Sequence, residues 1–204
     1  MAQTSTILSG AKSHISDITG TDISFTNSGN TNTISSSTTA LTGSGKLAVR
    51  DRITVTNSTN NNSTFTVKAI VSTTEFTVEE IVTTENSDGS TTITIDHVGF
   101  VTDKAKGDGY YSQVDGVHTV MYKVVNLGDS SDDYFGTIKM QGSLATDPTE
   151  DDYFDISGTS FTSDQSTTIV SKNFTGNFVW VRAHITTTNN TSNPSLVTEI
   201  LLNN

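Results

Sequence analysis

The chain has 204 residues, of which 32% are hydrophobic and 16% charged, and its formal net charge is −11. That charge opposes binding to nucleic acid and to anionic membrane surfaces, both of which need Lys and Arg set against phosphate, and it favours solubility or docking to a basic partner. Cysteine is absent, which removes disulfides and thiolate chemistry and leaves the redox compartment undecided.

Low apolar content can signal disorder, but Pro occurs only twice and β-branched residues recur in alternation. Thr suits a pleated surface, while Asn and Gly suit turns, so the composition predicts an all-β protein with many loops. The expected architecture is two small antiparallel β-sandwich or barrel domains behind an extended N-terminal arm.

Residues 1–20 are that arm: polar, with Ile7, Leu8, Ile15 and Ile18 spaced irregularly, and expected to order on a neighbour or to fray. The start lacks the basic flank and apolar run of a signal peptide. No stretch approaches the roughly 20 apolar residues of a membrane helix. The expectation is synthesis in a cytoplasm without classical export.

Residues 21–102 read as a small β domain of five or six short strands. Ile23 and Phe25 share a face, then Val49, Asp51, Ile53 and Val55 alternate with Ala48, Arg50, Arg52 and Thr54. The Asn-rich loop 57–63 joins that strand to Phe65, Val67 and Ala69 as a hairpin. Phe76 and Val78, then Ile93 and Ile95, mark the remaining strands. Asn57, Asn61, Asn62 and Asn173 stand in N-x-Ser/Thr sequons, read here as chance in a chain without a secretory signal.

Residues 103–109, charged and Gly-bearing, read as a linker. Beyond them aromatic residues become denser, which predicts a second domain, 110–204, with a fuller core. Its strands are expected at Val117–Val125, Gly136–Leu144, Thr167–Phe174, Phe178–Thr187 and Ser195–Leu202, an antiparallel β-sandwich pattern. Within Phe178–Thr187, Val179, Val181, Ala183 and Ile185 share one face, and Phe178, Trp180, Arg182 and His184 the other. Trp180, the only Trp, is expected as a core plug; the rival reading sets Phe178, Trp180 and Arg182 against another chain.

The acidic loop Asp147, Glu150, Asp151, Asp152 and Asp155 is the best sequence candidate for an ion site. Calcium takes several hard oxygen ligands, but the spacing misses the EF-hand pattern, and a solvated turn is the reading preferred. Asp129, Asp132 and Asp133 form a second cluster read the same way. The His residues show no zinc spacing, no G-x-S-x-G elbow exists, and Gly43-Ser44-Gly45-Lys46 fails the phosphate-loop pattern. No cofactor and no catalytic set is expected. A saccharide-binding reading would use exposed aromatics, with Tyr110, Tyr111, Tyr134 and Tyr153 as contributors.

Two stretches carry a resemblance. Asp51-Arg52-Ile53-Thr54-Val55-Thr56, the Asn loop, Ser63 to Val71 and Thr74-Glu75-Phe76-Thr77-Val78-Glu79-Glu80 resemble a module of tailed-phage virion proteins, departing at Thr56-Asn57 and Ser63, where Gly is usual. Ile138 to Ala145, Asp147 to Asp155 and Asn173 to Ala183 are similar to a C-terminal β-sandwich of marine and cyanobacterial phage structural proteins. Together they span about 120 residues of the chain. The resemblance implies a non-enzymatic virion component: a capsid decoration or knob protein, or a neck or tail accessory. Its implied partners are other virion proteins and copies of itself, with no nucleic acid and no membrane. The alternative is a glycan- or receptor-binding module of a fibre.

Overall fold

The structure, a computed structural model, describes residues 5–111, 116–125, 134–164, 166–187 and 196–203. The protein is all-β. Its strands, in chain order, begin with β1 (Ser5–Ser9), β2 (Lys12–Ser13), β3 (Ile18–Gly20), β4 (Ile23–Ser28), β5 (Thr31–Ser36) and β6 (Asp51–Thr56). They continue as β7 (Thr64–Ser72), β8 (Glu75–Val78), β9 (Ile93–Val101), β10 (Ala105–Lys106), β11 (Val117–Val124) and β12 (Gly136–Ser143). The last are β13 (Phe154–Asp155), β14 (Phe161–Thr162), β15 (Ile169–Thr175), β16 (Trp180–Thr187) and β17 (Leu196–Asn203). The chain divides into two compact units, Ile15–Phe100 and Met1–His14 with Val101–Asn204.

In the unit Ile15–Phe100, an antiparallel ladder runs β9, β6, β7, β8, β5, β4. β3 pairs with β9 at one end of it, and only Thr21 and Asp22 separate β3 from β4 at the other. A link that short brings the two ends together, so the ladder curls around one core as a small barrel does. Ile18, Ile23, Phe25, Ile34, Ile53, Val55, Phe65, Val67, Phe76, Val78, Ile93 and Ile95 fill that core, with every strand contributing. The alternation read in residues 51–55 holds: Asp51, Ile53 and Val55 are buried, and Arg52 and Thr54 only partly. Val49 lies outside β6 and is exposed.

The second unit holds two antiparallel sheets. One runs β1, β17, β11, β15, with β2 also on β17. The other centres on β12 and β16, with β13 and β14 on β12 and β10 on β16. Val120, Tyr122 and Val124 of β11 are buried, as are Ile138 and Met140 of β12 and Val181, Ala183 and Ile185 of β16. These are the same-face residues that the alternation predicts. Tyr122 ties β11 to the second sheet's loops by donating its hydroxyl to Thr159 O at 2.9 Å. Leu144, expected in line with Met140, is exposed because β12 ends at Ser143.

The described part of the expected arm is instead β1, β2 and β3, each paired in a sheet. β1 buries only Leu8, so this edge strand has too little apolar alternation to announce itself. The expected linker is also part of a sheet: Gly107 N donates to Val179 O at 3.0 Å and Gly109 N to Phe178 O at 2.9 Å. A side chain at Gly107 would strike the Phe178 backbone, and one at Gly109 the Asn177 backbone. These glycines serve close approach of two backbones, not flexibility. The boundary therefore falls between Phe100 and Val101.

Candidate functional site

The functional surface best supported is an aromatic and cationic ledge on β10 and β16. Strand alternation turns Val181, Ala183 and Ile185 into the core, so Trp180 and Arg182 face the other way. β10 sets Lys106 directly opposite Trp180. The 3₁₀ turn Asp108–Tyr111 follows and carries Tyr110 and Tyr111. The Tyr110 and Trp180 ring centroids are 5.1 Å apart, and Tyr111 meets Tyr110 edge-on at 5.2 Å, both favoured separations for aromatic pairs. Lys104 Nζ lies 4.5 Å from the Trp180 ring centroid, and Lys106 Nζ 4.1 Å from that of Tyr110. Tyr110 is 43% exposed and Tyr111 57%.

Arg182 extends the ledge inward. It is buried and forms a bidentate pair with Glu150, Nη1 to Oε1 at 2.7 Å and Nη2 to Oε2 at 2.8 Å. Its Nε donates to Gln141 Oε1 at 3.0 Å, and its guanidinium stacks 3.6 Å from the centroid of Tyr153. A planar fork held this way is a fixed structural member, not a mobile charge.

The expected interface trio is thus split. Trp180 is only partly buried and is not a core plug; its indole N–H donates to Thr146 O at 2.9 Å. Phe178 precedes β16 and turns inward, packing near Phe174 and His118 with its ring against Gly142 and Gly176. Of the tyrosines assigned to saccharide contact, Tyr110 and Tyr111 are exposed. Tyr134 is fully buried, donates to Thr186 O at 2.9 Å, and its pKa is pushed up by burial. Lys104 and Lys106 were missed by sequence reasoning because their period-two spacing was read as linker charge.

The acidic loop does not assemble an ion cage. Glu150 is bound to Arg182, and Asp155 to Lys139 at 2.5 Å and to Gln141 at 3.0 Å. Burial pushes the Asp155 pKa up, but those hydrogen bonds outweigh it and hold the pKa below its ordinary value. Asp152 closes a capping box on Thr149, whose backbone N–H and hydroxyl lower its pKa. Asp147 is fully exposed, 3.4 Å from Lys104 Nζ, and Asp151 is exposed. No three of these carboxylates approach within 4.8 Å of one another. Asp129, Asp132 and Asp133 lie outside the described residues.

In the barrel unit, His97 and Asp51 form a buried pair, Nε2 to Oδ1 at 3.6 Å. It has the look of a catalytic dyad, but Ile15 N donates to His97 Nδ1 at 3.2 Å. The nitrogen a general base would use is thereby engaged by backbone, and both side chains are out of solvent.

Against known proteins, no family model and no curated protein sequence matches the chain.

Proposed function

We propose that this protein is a non-enzymatic structural component of a tailed-phage virion, a capsid decoration or knob protein or a neck or tail accessory. It would act by protein–protein assembly, outside the membrane and without nucleic acid. The observation that carries the reading is the ledge: Trp, Tyr and Arg are the residues enriched at protein interfaces and their energetic centres. Here Trp180 on β16 and Tyr110 and Tyr111 on the neighbouring 3₁₀ turn are pre-ordered beside two lysines, in a chain otherwise rich in acids. The resemblance of residues 51–80 and 138–183 to virion modules points the same way. Peptide mass spectrometry of gradient-purified particles tests it: peptides of this chain should remain with intact virions. Their confinement to the unassembled lysate fraction would sink the reading. Light scattering on the purified protein is expected to give a mass above that of one chain, unchanged by a chelator.

A second reading, a glycan- or receptor-binding module, is favoured by one observation. Tyr110 and Tyr111 keep about half of their surface open to solvent beside Trp180.

A further inference from the structure

The sheet β1, β17, β11, β15 ends in two edges of different character. β15 carries Lys172 at its midpoint, on the face that also holds the buried Phe174. An inward-pointing charge at the centre of an edge strand opposes pairing with another strand. It opposes pairing with its own copy most, because like charges would then stand opposite each other. β1 has no such guard. Its residues Ser5-Thr6-Ile7-Leu8-Ser9 are uncharged and include neither Pro nor Gly, and among the described residues only β17 pairs with it.

An apolar row crosses the outer face of this sheet and stops at that edge. Ile7 stands opposite Leu201, and Leu201 opposite Met121, so the three share one face. Met121 and Leu201 are partly buried, whereas Ile7, the outermost, is 65% exposed. The rows on either side are polar. Ser5, Asn203 and Thr119 lie in register on one flank, and Glu199 and Lys123 face each other on the other. An apolar centre within a polar rim is the anatomy of a protein interface.

We infer that β1 pairs antiparallel with β1 of a second copy, across a two-fold axis near Ile7. This deepens the assembly reading above and rests on it. The pairing sets only Ser, Thr, Ile and Leu against one another, with no charge against like charge. That condition is strict for copies of a chain of net charge −11, which repel over most of their surface. A charged partner strand would find no opposite charge on β1, whereas a second copy continues the apolar row from one sheet into the next. The register against β17 shifts between Ile7 and Ser9, a bulge that limits regular pairing to a short stretch. The contact is therefore weak and concentration-dependent.

Sedimentation of the full chain over a range of concentrations should show a monomer–dimer equilibrium. Ile7→Lys should raise its dissociation constant by about a hundredfold, because a two-fold contact meets each change twice. The thermal midpoint should not move, since the position is exposed. Val71→Lys, at a similarly exposed apolar residue of β7, should leave the equilibrium as it was. The chain has no cysteine, so Ile7→Cys supplies a lone thiol. Mild oxidation should link two such chains by a disulfide, and should not link Val71→Cys. A dimer indifferent to Ile7→Lys overturns the inference but leaves the assembly reading its oligomer. A single-chain mass even at millimolar concentration also overturns it, and leaves that reading to the particle test, which does not depend on self-association.

Discussion

Asp22 accepts from the hydroxyls of Ser36, Ser37, Thr38 and Thr39 and from the Thr38 backbone N–H, at 2.6 to 3.0 Å. The Ser36 hydroxyl is the largest of the influences that hold its pKa far below the ordinary carboxylate range. The Ser/Thr run 36–39 is thus a donor shell folded around one anion. Asp22→Asn leaves several of those donors competing for one amide oxygen, and a lowered thermal midpoint at pH 7 is expected. Arg182 makes the opposite case, a buried cation that depends on one acid. Glu150→Gln removes the charge from a pair whose Arg side is 4% exposed and should cost about 2 kcal/mol in urea unfolding. Removing both partners, as in Glu150→Gln with Arg182→Met, should cost less than the two single changes summed.

The loop between β6 and β7 shows how an element can rest on a side chain distant in sequence. Glu85 accepts from Ser58 Oγ at 2.8 Å, from Thr59 N and Asn60 N at 2.9 Å, and from Asn61 Nδ2 at 3.0 Å. Asn61 is buried and also holds both backbone groups of Thr83, so this sequon is a structural clamp rather than an exposed acceptor. Asn61→Ala strands those groups and should destabilise by about 2 kcal/mol, measured by chemical denaturation. On the β12–β16 ladder, a Cβ at Gly142 would stand 2.6 Å from the Phe178 ring. Gly142→Ala is therefore expected to lower stability by about 1–3 kcal/mol through overpacking. The strands themselves were largely legible: β11, β12, β15, β16 and β17 each fall within about two residues of their expected ends, because long period-two runs carry their own signal. The two-residue strands β2, β10, β13 and β14 were not. Strands that short have no period to read, and their place is set by partners far along the chain. The ledge was half-legible for the same reason. Trp180 and Arg182 sat on a visible strand, whereas Lys104 and Lys106 owe their position to a pairing that only the fold shows.

At the scale of the whole molecule, the acids set the response to pH. Asp22, Glu85, Asp88, Asp152, Asp155 and Asp164 all have lowered pKa values in the folded state. A depressed carboxylate stabilises the fold above its unfolded pKa, and that contribution is lost as pH falls through the folded one. Stability should therefore be flat near neutrality and decline once pH drops below about 4, a thermal-midpoint series being the check. Asp96 works against this: burial, then the hydrogen bond and charge of Asp17, raise its pKa, so it resists ionisation in the fold and softens the decline. The division of the chain has a further consequence in time. The barrel unit is one unbroken stretch, but the other unit joins the first fourteen residues to the last hundred or so. β1 finds its partner only when β17, the last strand, has been made. During translation the barrel can close while β1 waits, its hydrogen-bonding edge unmet, through the synthesis of the strands between it and β17. The ribosome, or whatever meets the nascent chain first, handles an incomplete sheet until β17 emerges.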